Sequence, residues 1–369
     1  MIPVYKPFLP TESLRHAHQA LESGWVSSLG EYTERAEAIL AERLGVRHAI
    51  LVSSGTAAGH LMSRCIRRFH PHINRFIVPN NVFVAAWNAL LYEWPLSALV
   101  PVDAHSETWN ADLDAGLRDE PGPETCILAV HNLGNTINVP ALRRRFPRTL
   151  VCEDACESVF GTYEGQPAGS AGWMSSISFF SNKNISCGEG GAVCTNDDDA
   201  AKHVRLMKGQ GQGSTRYLHT ELGFNYRMTN VQAGLLLGQL ELWDEIRARK
   251  QKLFQAYARR LVGNPHVILQ SREPLTEHSD WMFGIRIRGL QGQQLATTQF
   301  RYAGVETRPM FFPIHHHMHL RSVGGEHPVA ELLHRECVIL PSWPGLTDAQ
   351  VDHVCSVVEQ ICDKVYQHA

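Results

Sequence analysis

Lys183 is the residue of this chain best placed to act as a nucleophile. It follows the apolar run 176–180 and precedes the turn Gly188-Glu189-Gly190-Gly191. A lysine amine in such a partly closed place can attack a carbonyl carbon, and the glycines allow backbone to approach a ligand. Most lysines, by contrast, are solvated surface groups. Asp154, within Val151-Cys152-Glu153-Asp154-Ala155-Cys156-Glu157, stands where another apolar run stops. The mouth of an α/β sheet lies at such carboxyl ends. An aspartate there can pair with a protonated ring nitrogen and keep a pyridine ring electron-withdrawing; it can equally cap a turn. In Val52-Ser53-Ser54-Gly55-Thr56-Ala57 a strand pattern gives way to a helix through small residues. The free N–H groups and the dipole of a helix start can hold a phosphate, with Thr56 and, from the lysine segment, Ser178 adding hydroxyls. The plainer reading is a good helix cap and nothing more. A fourth segment, Gly223-Phe224-Asn225-Tyr226-Arg227-Met228-Thr229-Asn230, is a polar-aromatic loop directly before a long helical pattern, capped by Thr229 or Asn230.

The elements that must position these residues alternate in kind. Apolar runs at 49–52, 76–78, 98–102, 126–130 and 150–152 read as buried strands. Helical patterns at 57–69, 82–92 and 140–146 lie between them. That is the βαβ signature of a mostly parallel sheet covered by helices. Residues 176–180 and 192–195 read as a strand pair around the glycine turn, followed by a helix over 197–207 with an acidic start. One long helix is expected from Asn230 past Trp243 towards Leu261, bridging into a second domain that closes with a helix over 347–365.

Composition narrows the class. The chain has 369 residues, 44% hydrophobic and 19% charged, with a formal net charge of −3, which fits a globular enzyme rather than a nucleic-acid or membrane-surface binder. The longest apolar region, 76–102, is broken by Pro79, Asn80, Asn81, Asn88, Glu93 and Pro95, so it is not expected to span a membrane. The N-terminus lacks the apolar run of a signal peptide. Nine cysteines without paired ligand spacing point to reduced thiols and a cytoplasmic location. The run His315-His316-His317-Met318-His319 shows no acidic neighbour; it is read as a loop, and no metal is expected.

Taken together, IPVYKPFLP, SGWVSSLGEY, SSGTAA, CEDACES, SISFFSNKNISCGEGG, KGQG, GFNYRMTN, ETRPMFFPIH and LPSWPGLT, in this order over nearly the whole chain, closely resemble the nucleotide-sugar aminotransferases of the DegT/DnrJ/EryC1/StrS family. The resemblance implies the pyridoxal 5′-phosphate (PLP)-dependent transferase fold type I. Its large domain, residues 1–245, would hold a mixed, mostly parallel sheet, and residues 246–369 a smaller α+β domain. It further implies that Lys183 forms a Schiff base with PLP and shuttles the proton, that Asp154 binds the pyridinium nitrogen and that Glu157 lies near the phenolic oxygen. Phe83 would stack on the ring, while Gly55, Thr56, Ala57 and Ser178 hold the phosphate. Asn225 would reach that phosphate from a neighbouring subunit, making the active unit a homodimer, with a tetramer open. Trp25, Ser27, Arg308 and His315 are candidates for nucleotide-sugar contacts, and Arg227 for the carboxylate of the donor, L-glutamate. The implied substrate is GDP-4-keto-6-deoxymannose, aminated at C4, with other nucleotide-linked keto sugars as alternatives and, ranked below these, a PLP-dependent sugar dehydratase or a non-catalytic sugar-sensing regulator, both of which the retained Lys183 argues against. The chain departs from the family pattern at Ser181, at Gly59-His60 and at Asn132-Leu133, the last of these bearing on the sugar pocket.

Overall fold

A computed structural model of the chain describes residues 1–117 and 119–367. Its strands are β1 (His48–Val52), β2 (Arg75–Pro79), β3 (Leu99–Val102), β4 (Thr125–Val130), β5 (Leu150–Asp154), β6 (Thr162–Tyr163), β7 (Gln166–Pro167), β8 (Met174–Ser178), β9 (Gly191–Thr195), β10 (Val267–Leu269), β11 (Thr276–Glu277), β12 (Phe283–Ile287), β13 (Arg308–Pro309) and β14 (Cys337–Leu340). The α-helices are α1 (Thr11–Glu22), α2 (Glu31–Leu44), α3 (Gly55–Phe69), α4 (Ala85–Leu91), α5 (Leu113–Gly116), α6 (Val139–Arg145), α7 (Asp198–Lys208), α8 (Asn230–Glu241), α9 (Trp243–Leu261), α10 (Gln293–Tyr302), α11 (Pro328–Glu336) and α12 (Asp348–Gln367).

Seven strands form the central sheet in the order β1-β9-β8-β5-β4-β2-β3. The β8-β5-β4-β2-β3 pairings are parallel, and β9 runs antiparallel to both neighbours. This is the mixed, mostly parallel sheet expected from the alternating pattern, including the 176–195 strand pair. Successive side chains of a strand point to opposite faces. Ile50 and Val52 of β1 therefore pack under α3, while Ala49 and Leu51 pack towards α2 and α8. With both faces covered, the strand must be apolar throughout. A second, four-stranded sheet, β10-β12-β14-β13, is packed by α9, α10 and α12, and a small sheet pairs β11 with β6 and β7. Among the described residues, no helix is long and apolar enough to cross a membrane.

The single long helix expected after Asn230 is in fact two. The chain leaves helical geometry at Leu242 (φ −102°, ψ 21°), between α8 and α9. No glycine or proline marks the break. Trp243, the first residue of α9, packs edge-on against Phe160 at 5.0 Å and lies beneath the Arg43 guanidinium, so tertiary contacts set the bend. The start of α8 follows its local sequence, with Thr229 and Gln232 forming a reciprocal capping box.

Candidate active site

The carboxyl ends of β1, β5 and β8 lie side by side through β9, and each delivers a chemical group to one cleft. Asp154 ends β5, Ser178 ends β8, and α3 starts three residues after β1. The cleft encloses about 570 Å³ and is lined by Gly55, Thr56, Asp154, Glu157, Ser178 and Lys183, with Phe83 and Arg308 also on its walls. Segments 100 or more residues apart in sequence thus converge.

Lys183 is held from three sides. Its backbone N–H donates to the Phe180 carbonyl (2.8 Å), and its carbonyl accepts the Tyr5 hydroxyl (2.8 Å). Its Nζ lies 3.8 Å from the centre of the Trp281 ring and 3.7 Å from Glu157 Oε1. Trp281 is itself fixed: its Nε1–H donates to the Asn182 carbonyl (2.7 Å), and its own carbonyl accepts from the buried Lys250 amine (2.8 Å).

Glu157 is buried, and the other oxygen of its carboxylate, Oε2, accepts the Leu133 N–H at 2.8 Å. Leu133 takes up a left-handed conformation (φ 55°) to present that N–H, which costs an ordinary residue roughly 1–2 kcal/mol. Burial pushes the Glu157 carboxyl up to about 7; Lys183 opposes this and the Asp154 charge adds to it. Asp154 Oδ1 accepts the Cys156 N–H (3.1 Å). Burial, reinforced by Asp154, drives the Cys156 thiol well up, so it does not compete as a nucleophile. Beneath this layer Glu153, fully buried, anchors the end of β5. It takes bonds from His131 (3.0 Å), the Tyr163 hydroxyl and the N–H groups of Gly169 and Ala171. Burial alone would raise its carboxyl, but these donors hold it below the ordinary value. Ile137 N–H donates to His131 Nδ1 (3.0 Å), so the proton facing Glu153 sits on Nε2.

The phosphate-type turn is built by close approach. A methyl group on Gly55 would lie 2.7 Å from Ser178 Cβ and 3.1 Å from Cys156 Sγ, and one on Gly191 would overlap the Ser54 carbonyl. Ser54 caps α3 by accepting the Ala57 N–H (3.1 Å). Of the expected helix-start donors, Gly55 and Thr56 line the cleft, whereas the Ala57 N–H is engaged by Ser54. The buried Asn182 Oδ1, also at the cleft, has no hydrogen-bond partner. An amine, two carboxylates, a helix start and two hydroxyls on one cleft fit a phosphorylated pyridine aldehyde.

Other expected residues lie elsewhere in this chain. Asn225 and Arg227 are exposed, with Arg227 Nε donating to Asn225 Oδ1 (3.0 Å). Their loop is tied to the turn before α3 by Ser53 N–H to the Tyr226 carbonyl (2.9 Å), and Tyr226 reaches His60 (3.0 Å). Trp25 and Ser27 sit at the start of α8, their carbonyls accepting the Asn230 Nδ2 and backbone N–H groups, apart from the cleft of their own chain. His315 is not among the residues that line the cleft, and His317 lines it instead. The histidine run also has the acidic partner that its own neighbourhood lacks: Glu331 of α11 bonds both His315 and His316. Trp281, Leu133 and Asn182 escaped sequence reasoning. Only the departures at Asn132-Leu133 and at Ser181, next to Asn182, marked their neighbourhood.

The chain resembles known proteins over nearly its whole length. It is 35% identical to a GDP-perosamine synthase of Caulobacter vibrioides, covering 98% of each chain, and 32% identical to one of Escherichia coli O157:H7, covering 97% of this chain and 98% of that one. Its fold matches a putative sugar aminotransferase of Streptococcus pneumoniae with a TM-score of 0.89 at 20% identity, covering 99% of this chain and all of the other. The family model of the DegT/DnrJ/EryC1/StrS aminotransferases matches residues 9–359, so the chain belongs to that family.

Proposed function

We propose that this protein transfers an amino group from L-glutamate to C4 of GDP-4-keto-6-deoxymannose, giving GDP-perosamine. As an aminotransferase of this family it is a PLP-dependent enzyme. The observation that carries the reading is the Lys183 amine held between the Trp281 ring and Glu157 in the cleft that Asp154 also lines. The choice of sugar rests on the GDP-perosamine synthases that align with nearly the whole chain.

When bound, PLP supplies an electron sink for carbanion character at the amino-bearing carbon. The protein supplies position and protonation state. Lys183 would hold the coenzyme through its amine, and that amine, when free, would move the proton at the amino-bearing carbon. Trp281 and the Phe180 and Tyr5 bonds keep that amine over the cleft. Glu157, with a carboxyl near 7, exchanges protons readily at neutral pH beside the lysine. Asp154 holds the ring nitrogen protonated, and Gly55, Thr56 and Ser178 bind the phosphate. Phe83, exposed at the cleft mouth 6.2 Å from Phe311, covers the ring. The outward placement of Asn225, Arg227, Trp25 and Ser27 supports a homodimer in which these residues serve the partner's cleft. The division into residues 1–245 and 246–369 is supported by the confinement of the two larger sheets to 48–195 and 267–340. A cytoplasmic site of action, where nucleotide sugars and reduced thiols coexist, completes the reading.

The test uses wild type and Lys183→Ala, each loaded with PLP. Wild type should be yellow and bleach with glutamate, and its aminated form should regain colour with GDP-4-keto-6-deoxymannose in preference to dTDP- and UDP-linked keto sugars. Lys183→Ala should bind PLP but not turn over. Turnover near wild type in that variant, or colour returning only with another nucleotide sugar, refutes the corresponding part.

A further inference from the structure

Arg308, Met310, Phe311 and Phe312 form one wall of the cleft, and the chain then turns behind it through Ile314–His316. At this turn two imidazoles and a carboxylate converge. His315 Nε2 lies 2.9 Å and His316 Nε2 2.8 Å from one oxygen, Glu331 Oε1. The three ligand atoms all lie within 4.8 Å of one another, and among the described residues this is the only such group of three histidine, cysteine or acidic side chains. We propose that His315, His316 and Glu331 form a binding site for a divalent transition-metal ion of the zinc class, unrelated to the chemistry on Lys183.

The donor set selects the ion. Two imidazoles and one carboxylate suit zinc, nickel or iron(II), whereas calcium and magnesium demand oxygen ligands. The spacing is close to what such an ion needs. Bonds of about 2.0–2.2 Å at tetrahedral angles separate the ligand atoms by roughly 3.3–3.5 Å. The present 2.8 and 2.9 Å separations require the carboxylate to draw back by about half an ångström, and the two imidazole nitrogens, which lie within 4.8 Å of each other, to settle at that same spacing. The side chains are a third exposed or slightly more, so an ion can reach them from solvent without unfolding. His315 Nδ1 is buried and lacks a partner, which leaves Nε2 as the nitrogen that this ring offers.

The site sits where a cross-link matters. His315 and His316 stand between the cleft-wall residues 308–312 and His317, which lines the cleft. Glu331 belongs to α11, whose first turn is pinned by Asp103 through the N–H groups of Val329 and Ala330 (2.9 and 2.8 Å). Metal binding ties the wall to that anchored helix.

Tag-free holoenzyme, dialysed against zinc sulfate, should bind one zinc per chain saturably, and its melting temperature should rise with zinc. Glu331→Gln and His316→Ala each remove one ligand and should weaken binding by more than about tenfold and abolish the rise. Because they probe the same ion from two elements, a folding failure in one leaves the other decisive. His319→Ala, which removes a neighbour bonded to Asn88 instead, should bind zinc like wild type. The proposal is overturned if wild type binds no zinc saturably, if Glu331→Gln and His316→Ala retain it, or if His319→Ala loses it equally, which would mark a diffuse histidine tract. None of these outcomes depends on which sugar is the substrate.

Discussion

Replacing Glu157 with glutamine separates the two halves of the site argument, because the carboxyl is held near 7 by burial while facing a lysine amine. The perturbation keeps shape and removes the charge. Its size follows from linkage. The carboxyl titrates near 4.5 in the unfolded chain and near 7 in the folded one, a gap worth about 3.5 kcal/mol at 1.4 kcal/mol per tenfold. A carboxyl raised on folding gives stability that is complete below 4.5 and is lost as pH rises through 7. Between pH 5 and pH 8 wild type should therefore lose between about 2 and 3 kcal/mol relative to Glu157→Gln. Urea unfolding of the cofactor-stripped proteins at pH 5, 6, 7 and 8, followed by tryptophan fluorescence, reads this directly. Only the slope of the difference matters, so any constant penalty from repairing the Leu133 N–H bond drops out. Parallel stability curves across that range would mean that Glu157 titrates as an ordinary carboxylate, and the proton-exchange role beside Lys183 would fall with it.

Two further substitutions probe the scaffold. Gly55→Ala drives a methyl to 2.7 Å from Ser178 Cβ; overpacking of this kind costs about 1–3 kcal/mol and should weaken PLP binding by roughly tenfold or more, so an unchanged PLP dissociation constant would refute the tight-turn argument. Lys250 is fully buried, bonds the carbonyls of Trp281 and Ser342, and is pulled down to about 7 by burial against the opposing charge of Asp280. Lys250→Met leaves both carbonyls unpaired and should destabilise by roughly 2 kcal/mol or more. A lysine lowered on folding makes stability rise with pH between about 7 and 10; calorimetry should find that rise in wild type and not in the variant.

The Lys183 amine, the Asp154 carboxylate and the turn into α3 were legible because each ends or closely follows a strand that announces itself, whereas Glu157 was marked only by the family resemblance. Runs such as residues 49–52 and 150–152 are apolar on both faces, and the polar residue that interrupts each run is placed by the strand itself at the sheet's carboxyl edge. The extra residues at strand ends and the later start of α4 at Ala85 are boundary differences, since a helix or strand ends where its backbone bonds find other partners.

What the amino-acid order determined alone was therefore local: the period of each element, its caps, and the chemistry exposed where elements stop. The tertiary structure decided every relation between distant segments. It broke the helix at Leu242, because Trp243 packs on Phe160, 83 residues away. It set Trp281 over Lys183 and turned the Leu133 N–H towards Glu157. It also brought Glu331 to a histidine pair that has no acidic neighbour in sequence. Such encounters depend on how whole surfaces pack, and side-chain spacing along one segment carries no record of the partner on another.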